Sequence, residues 1–453
     1  MPAWTNDQRS AFTYRGGQLL VSAAAGSGKT AVLVQRILSR LTDESAPEEI
    51  GSFLVVTFTN AAAADMRDKI RDEISRRLSE DPGDRRLARQ LALLPQASIG
   101  TVHSFCFKLI RENFQALGLP PNLRIGGEAE CAALAETAME ETLENAFAES
   151  APAFLAFADQ LSETRDNGGI AELILSCYHD LMAAPDPEGV ARRALAQYSS
   201  CEAGIEASPW GKEVLSYLAD AAEDSVLAYS GAIRVIEASE GFEKYLPLLY
   251  AERTSAENVA KAAATGWDAA RDAVAAMRFD RLPGVSGDSE EKELVKRVRE
   301  NAKKLQEFLG KQLSEDEKTV RESIPGQRLV AEGLLSVTLD YARRFREKKL
   351  EKNIVDFTDV EQETCRLLVA KIDADTGNVT PTDAALDIGR RYVEIMVDEY
   401  QDTNPLQDAI FRALSSVRDN LFMVGDVKQS IYRFRQADPT VFLEKYRAFA
   451  PVC

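Results

Sequence analysis

The sequence predicts an α/β fold: a parallel sheet with helices on both faces, interrupted by a large all-helical insertion. Short apolar runs bounded by small residues alternate with helix-period segments near both ends of the chain. Between about residues 111 and 352 that alternation gives way to Ala, Glu, Leu and Lys at helical spacing, as in residues 131–148 and 290–313. The apolar runs that return afterwards are nearly continuous, which suits central strands of the same sheet, buried on both faces.

Residues 18–22 (Q-L-L-V-S) end in small residues, and Ala31, Val32, Leu33, Val34, Ile37 and Leu38 follow at helical spacing, giving strand, loop and helix. The loop resembles the phosphate cradle G-x-x-x-x-G-K-[ST], except that Ala23 stands in place of the first glycine. Residues 52–58 (S-F-L-V-V-T-F) predict a second strand with a helix over about 61–78, and residues 97–102 a third. Within the helical block, Pro185-Asp186-Pro187, Leu282-Pro283-Gly284 and Pro325-Gly326 read as inter-helix turns. Strands return at residues 392–397 and 420–424. The expected division is one α/β domain in two segments, 1–110 and 353–453, around an insertion of 111–352.

Composition sets outer bounds. The 453 residues are 45 % hydrophobic and 28 % charged, as in an ordinary soluble globular protein. No apolar run approaches about 18 residues and the N-terminus lacks a signal-peptide layout, so a cytoplasmic protein with no membrane partner is expected. Six cysteines without a C-x-x-C spacing and two histidines argue against a disulfide framework or a zinc site. The net charge of −18 is uneven: residues 1–110 carry 14 Lys+Arg against 12 Asp+Glu, summing to +2, which leaves −20 on the rest. Salt-sensitive attraction to nucleic acid should therefore be modest.

The loops carry the chemistry. Gly26 and Gly28 allow close approach of backbone to phosphate, Lys29 reaches the terminal phosphates, and Thr30 offers a hydroxyl to Mg2+ at a helix N-terminus. Ala25 and Ser27 complete the cradle. At the end of a buried strand, Asp398 is placed to hold the Mg2+, and Glu399 to orient and deprotonate the attacking water. A carboxylate pair at a strand end is common on any surface, as is a glycine-rich turn. Together they indicate a Mg2+-dependent nucleoside triphosphatase.

The flanking residues add a resemblance. D-E-Y-Q-D-T-N-P (398–405) resembles the D-E-x-Q-D of the UvrD-like superfamily 1 helicases, and A-A-A-G-S-G-K-T (23–30) is similar to that family's A-x-x-G-x-G-K-T, which accounts for Ala23. The resemblance implies a RecA-like P-loop fold. T-N-D-Q (5–8) looks like the family's Q motif, which assigns Gln8 to adenine. V-T-F-T-N-A-A-A (56–63) and G-T-V-H-S-F (100–105) resemble its single-strand DNA motifs, implying contacts from Phe58, Thr59, Asn60, Thr101 and His103. Phe58 can also be read as core, and His103 as a turn cap. The stretch G-D-V-K-Q-S-I-Y-R-F-R (425–435) resembles the motif that implies a γ-phosphate sensor in Gln429, DNA-stacking rings in Tyr432 and Phe434, and a phosphate or carboxylate partner in Arg435. D-F-T-D-V (356–360) resembles the family's D-F-x-D-L segment, and a plain helix cap reads equally well. Ala31 stands where relatives carry an arginine that lies on adenine, so that stacking contact is not carried over.

Within the family, the helical block and the wording T-F-T-N-A-A-A-A-D-M-R look most similar to the larger, A-type components of bacterial two-component helicase/nucleases. That implies the ATP-binding core of a DNA helicase in double-strand break repair and recombination. The implied partners are single- and double-stranded DNA and a second, B-type component of the complex. No second motor domain or nuclease cluster is read after the last motif. The sequence is therefore expected to be the N-terminal portion of a larger protein that, alone, binds ATP with very slow hydrolysis. The competing reading is a nucleotide-dependent protein-binding module whose acidic helical block recruits partners. DNA binding that responds to nucleotide separates the two.

Overall fold

The computed structural model describes residues 4–24, 26–162, 168–285, 289–373, 376–429 and 437–451. Five short strands, β1 (Leu19–Ser22), β2 (Phe53–Thr57), β3 (Ser98–Thr101), β4 (Glu394–Val397) and β5 (Leu421–Gly425), form one parallel sheet in the order β1-β5-β4-β2-β3. Ser22 lies opposite Gly425, Val397 opposite Met423, Val56 opposite Val397, and Thr57 opposite Thr101. That register brings the C-terminal ends of all five strands to one edge, where the motif-bearing loops leave the sheet.

The continuous apolar runs work because both faces are covered, with alternate residues serving opposite cores. Leu54, Val56, Ile395, Val397, Leu421 and Met423 pack with α4 (Val102–Glu112), α5 (Phe357–Leu368) and α6 (Pro405–Ser415). Phe53, Val55, Met396, Phe422 and Val424 pack with α2 (Lys29–Leu41) and α3 (Asn60–Glu80) on the other face. The helix α1 (Asn6–Thr13) adds Phe12 to this second core.

One buried ion cluster fixes α2 against the sheet. Arg36, 2 % exposed, donates from Nε to Glu394 Oε2 at 3.0 Å, and its guanidinium lies 4.4 Å from the Phe422 ring centroid. Arg40 adds a 3.3 Å contact to Glu394 Oε1. Glu394 opens β4, so the helix behind the phosphate loop and the strand that carries Asp398 share one anchor.

The chain divides into two compact units, one of Met1–Ser150, Thr164–Val190 and Leu335–Cys453, the other of Ala151–Glu163 and Ala191–Leu334. These divisions do not coincide with the compositional boundaries at 110/111 and 352/353. Composition marks where strands stop, whereas contacts keep several later helices with the sheet. Gln362 Nε2 donates to the carbonyls of Met182 and Ala184 at 2.8 and 2.9 Å, Leu406 N to Ala183 O at 3.1 Å, and Lys348 reaches Glu141 at 2.6 Å.

The second unit is helical among its described residues. Helices Pro209–Glu237, Leu246–Ala263, Trp267–Ala276 and Glu290–Gln312 enclose Leu218, Ala222, Val259, Trp267, Val274 and Leu309. Buried Glu252 accepts from Arg299 at 2.6 Å and from the Tyr229 hydroxyl at 3.1 Å, so no charge of this pair is left alone in the interior. One expected turn is corrected here: Pro325 and Gly326 lie inside the helix Glu317–Glu351. Val320 and Ile324 pack against this core, and that packing outweighs the local propensity to break.

Two short pairings escaped the sequence reading. Arg124–Ile125 pairs in parallel with Ile354–Val355, and Val369–Ile372 pairs antiparallel with Val379–Pro381. These segments are two to four residues long, and polar residues such as Arg124, Lys371 and Thr380 interrupt the continuous apolar run that marks the central strands. No helix among the described residues is long and apolar enough to cross a membrane, and their five cysteines are unbridged.

Candidate functional site

The phosphate-type loop leaves β1 and turns into α2 through two glycines with left-handed backbones, Gly26 (φ 75°) and Gly28 (φ 84°). Space at position 28 is also tight. A Cβ there would sit 3.3 Å from Gln8 Nε2, which donates to Ser27 O at 2.9 Å. Gln8 is held for that contact by a capping box, with Thr5 Oγ1 accepting from Gln8 N and Gln8 Oε1 accepting from Thr5 N at 3.0 Å. The predicted adenine residue and the predicted cradle are thus in contact. Ala25 lies outside the described residues.

Lys29 opens α2 and points across the sheet edge, with Nζ 3.3 Å from Glu399 Oε2. Its side chain is 9 % exposed and that of Glu399 is 41 %. Glu399 takes a left-handed backbone, φ 51°, directly after β4. Beside it Asp398, 7 % exposed, accepts from Glu399 N at 3.1 Å through Oδ1. Burial first, then the charge of Glu399, pushes the Asp398 carboxyl up to about 6. Asp402 is likewise raised to about 6, by burial and then by Glu399, and its buried Oδ1 has no hydrogen-bond partner.

Gln401, 2 % exposed and given no role in the sequence reading, sits between these groups. Its Oε1 accepts from Asp426 N at 2.9 Å and its Nε2 donates to Glu399 Oε2 at 3.0 Å. Asp426, just after β5, accepts from Gln429 Nε2 at 2.5 Å and from Lys428 N at 3.0 Å, which holds its carboxyl below the ordinary range, the Gln429 amide contributing most. Lys29, Asp398, Glu399 and Gln429, which the sequence assigned to one reaction, are therefore gathered in one hydrogen-bonded group.

These residues fit a magnesium-nucleotide. Three carboxylates crowd one edge, two of them reluctant to ionise, so the cluster favours added positive charge. Among the described residues no group of three or more His, Cys, Asp or Glu forms a cage able to hold a metal. A cation held by one or two oxygen ligands plus substrate phosphates matches that sparse donor set, to which Thr30 and Asp398 could contribute.

At the ends of β2 and β3 the predicted DNA residues part company. Phe58 is half-buried and belongs to neither core, whereas Thr59 and Asn60 are exposed at the start of α3. Thr59 also caps that helix, accepting from Ala62 N at 3.1 Å. Thr101 is 9 % exposed and its hydroxyl caps α4, accepting from Ser104 N at 3.2 Å. His103 remains partly open, with Nε2 2.9 Å from Glu361 Oε1 and its ring 4.5 Å from that of Phe357, which is 53 % exposed. Buried Glu361 also accepts from Gln407 Nε2 at 2.6 Å and Asn404 Nδ2 at 3.3 Å. The D-F-T-D-V segment does form a helix cap: Asp356 and Asp359 make a reciprocal capping box at the start of α5, and both carboxylates meet buried Lys349, at 2.6 and 2.7 Å. Tyr432, Phe434 and Arg435 lie outside the described residues.

Comparison with known proteins agrees with this geometry. The UvrD/REP helicase N-terminal domain family matches residues 4–450. The chain is 36 % identical over 461 residues to the A subunit of an ATP-dependent helicase/nuclease from Clostridioides difficile (strain 630), covering 99 % of this chain and 36 % of that protein. It is 37 % identical over 455 residues to the protein of the same description from Thermoanaerobacter sp. (strain X514), covering 99 % and 37 %. The chain thus spans little more than a third of the length of these relatives.

Proposed function

From the premise that the chain belongs to the UvrD/REP helicase N-terminal domain family, we propose that it is the ATP-binding core of a DNA helicase of the helicase/nuclease AddA type. Its setting would be double-strand break repair and recombination in the cytoplasm. Its partners would be an AddB-like second subunit, together with single- and double-stranded DNA. The observation that carries the proposal is the 3.3 Å contact between Lys29 and Glu399, which unites the phosphate loop with a strand-end carboxylate.

Each residue has its own part in the reaction. ATP binds with its phosphates against Gly26, Ser27, Gly28 and Lys29, and with adenine toward Gln8. Thr30 and Asp398 would hold Mg2+, which would supply charge neutralisation of the triphosphate. Lys29 turns from Glu399 to the phosphate, which frees the Glu399 carboxylate to orient a water and accept its proton. Gln429 reads the γ-phosphate. Phe58, Thr59, Asn60 and the exposed His103–Phe357 ring pair form the DNA side among the described residues.

The test is ATP hydrolysis by the full-length protein with and without single-stranded DNA, together with DNA binding in the presence and absence of a non-hydrolysable ATP analogue. DNA-stimulated hydrolysis and nucleotide-dependent DNA affinity are expected. ATP binding without either response would favour the protein-binding module instead.

A further inference from the structure

Glu399 and Gln429 leave different strands, yet one side chain joins their neighbourhoods. Gln401 has its two amide ends assigned by their partners: a backbone N–H on one side requires the oxygen, and carboxylates on the other require the nitrogen. The oxygen takes Asp426 N–H at 2.9 Å, while the nitrogen serves Glu399 Oε2 at 3.0 Å and Asp402 Oδ2 at 3.3 Å. Asp426 in turn holds the Gln429 amide. The path from water-orienting carboxylate to phosphate-reading amide is therefore Glu399, Gln401, Asp426, Gln429, without a break.

The strand beneath is shaped to admit this side chain. Gly425 ends β5 with an ordinary backbone, so conformation does not demand glycine there. Space does: a Cβ at Gly425 would lie 2.5 Å from Gln401 Oε1, 2.9 Å from Phe442 and 3.2 Å from Gln401 N. Glu399, with its left-handed backbone and a side chain 41 % exposed, depends on such tethers for a fixed orientation.

We propose that Gln401 is a positioning residue that orients Glu399 and couples it to the Asp426–Gln429 turn, so that water activation and nucleotide-state sensing change together. This inference rests on the assignment of Glu399 and Gln429 made above. Gln401 acts through the groups it holds, Glu399 and Asp402 on one side and the Asp426 amide on the other.

Two variants separate its bonds. Gln401→Glu keeps an acceptor for Asp426 N–H but sets a further negative charge against Glu399 and Asp402. Gly425→Ala leaves Gln401 chemically intact and crowds it out of its seat. In the full-length protein, three quantities are measured: hydrogen exchange at the Asp426 amide without nucleotide, the affinity ratio for a non-hydrolysable ATP analogue over ADP, and kcat and KM of DNA-stimulated ATP hydrolysis.

For Gln401→Glu, Asp426 exchange should stay near wild type while the analogue-to-ADP ratio falls about fivefold or more. Its kcat should fall roughly 10²-fold with KM within about threefold. For Gly425→Ala, Asp426 exchange should accelerate about tenfold or more, with kcat lowered in the same direction. Wild-type nucleotide discrimination and kcat in both variants, or a loss confined to thermal stability, would overturn the proposal. If the wild-type protein shows no DNA-stimulated hydrolysis, the helicase reading itself fails, and the exchange and affinity-ratio measurements still decide whether Gln401 couples the two loops.

Discussion

At Glu399 a non-glycine residue is held in a left-handed backbone between two buried carboxylates and one lysine, an arrangement costly for a merely structural position. Its charge and its shape are separable by substitution. Glu399→Gln keeps the shape and removes the proton acceptor, so ATP binding should persist while DNA-stimulated hydrolysis falls by roughly 10²- to 10⁴-fold. Equilibrium binding of a fluorescent ATP analogue beside steady-state hydrolysis distinguishes these effects. Lys29→Ala deletes a charge partner of the phosphates, and its loss should appear in binding, by about tenfold or more. Phe58 is half-buried and outside both cores, which favours a stacking face. Phe58→Ala should then weaken single-strand binding about fivefold or more, since base stacking on an aromatic contributes roughly 1 to 3 kcal/mol. A lowered melting temperature with unchanged affinity of the folded fraction would return the ring to the core.

Among the elements, α2 and β4 depend on a shared buried charge. Arg36→Met leaves Glu394 buried with only the 3.3 Å contact from Arg40, and breaking such a pair typically costs about 3 to 5 kcal/mol. Urea unfolding should show that loss, and the double variant Arg36→Met with Glu394→Gln should recover much of it. A second junction, where Lys349 meets the cap of α5, titrates. Burial, then the neighbouring charge of Asp356, pushes the Asp359 carboxyl up to about 6 from its ordinary 3.8. Between about pH 4 and pH 6 the folded chain holds a proton that the unfolded chain has released, so the stability Asp359 contributes falls as pH rises through that window. Asp359→Asn, which stays neutral throughout, should gain stability relative to wild type over the same range; parallel pH profiles of unfolding would contradict the burial argument. What the sequence made legible at this scale follows from length and pattern. Strands β1, β2, β4 and β5 were readable because both faces are apolar, and the cradle because glycine spacing is local. Gln401 was not, because the Asp426 amide it accepts from leaves a different strand and its side chain has no periodic signature. Thr101 carries a local part that the motif alone does not announce: its hydroxyl caps α4, accepting from Ser104 N.

For the molecule as a whole, the decisive quantity is charge. A net charge of −18 repels a polyanion at long range, and residues 1–110, which carry the cradle and most of the predicted DNA residues, sum to only +2. The DNA side proposed above is correspondingly built from aromatic, hydroxyl and amide groups, Phe58, Thr59, Asn60, His103 and Phe357, none of which carries a fixed positive charge. Single-strand binding that neutralises Z phosphates should vary with salt as about −0.7Z in log K against log concentration. On the proposed aromatic face the slope should be shallower than about −3, and the Phe58→Ala loss should be similar at low and high salt because stacking is insensitive to screening. Fluorescence anisotropy across a salt series measures both. A steep slope together with a salt-dependent Phe58 effect would mean that a basic surface, and not the aromatic face at the ends of β2 and β3, dominates the grip on DNA.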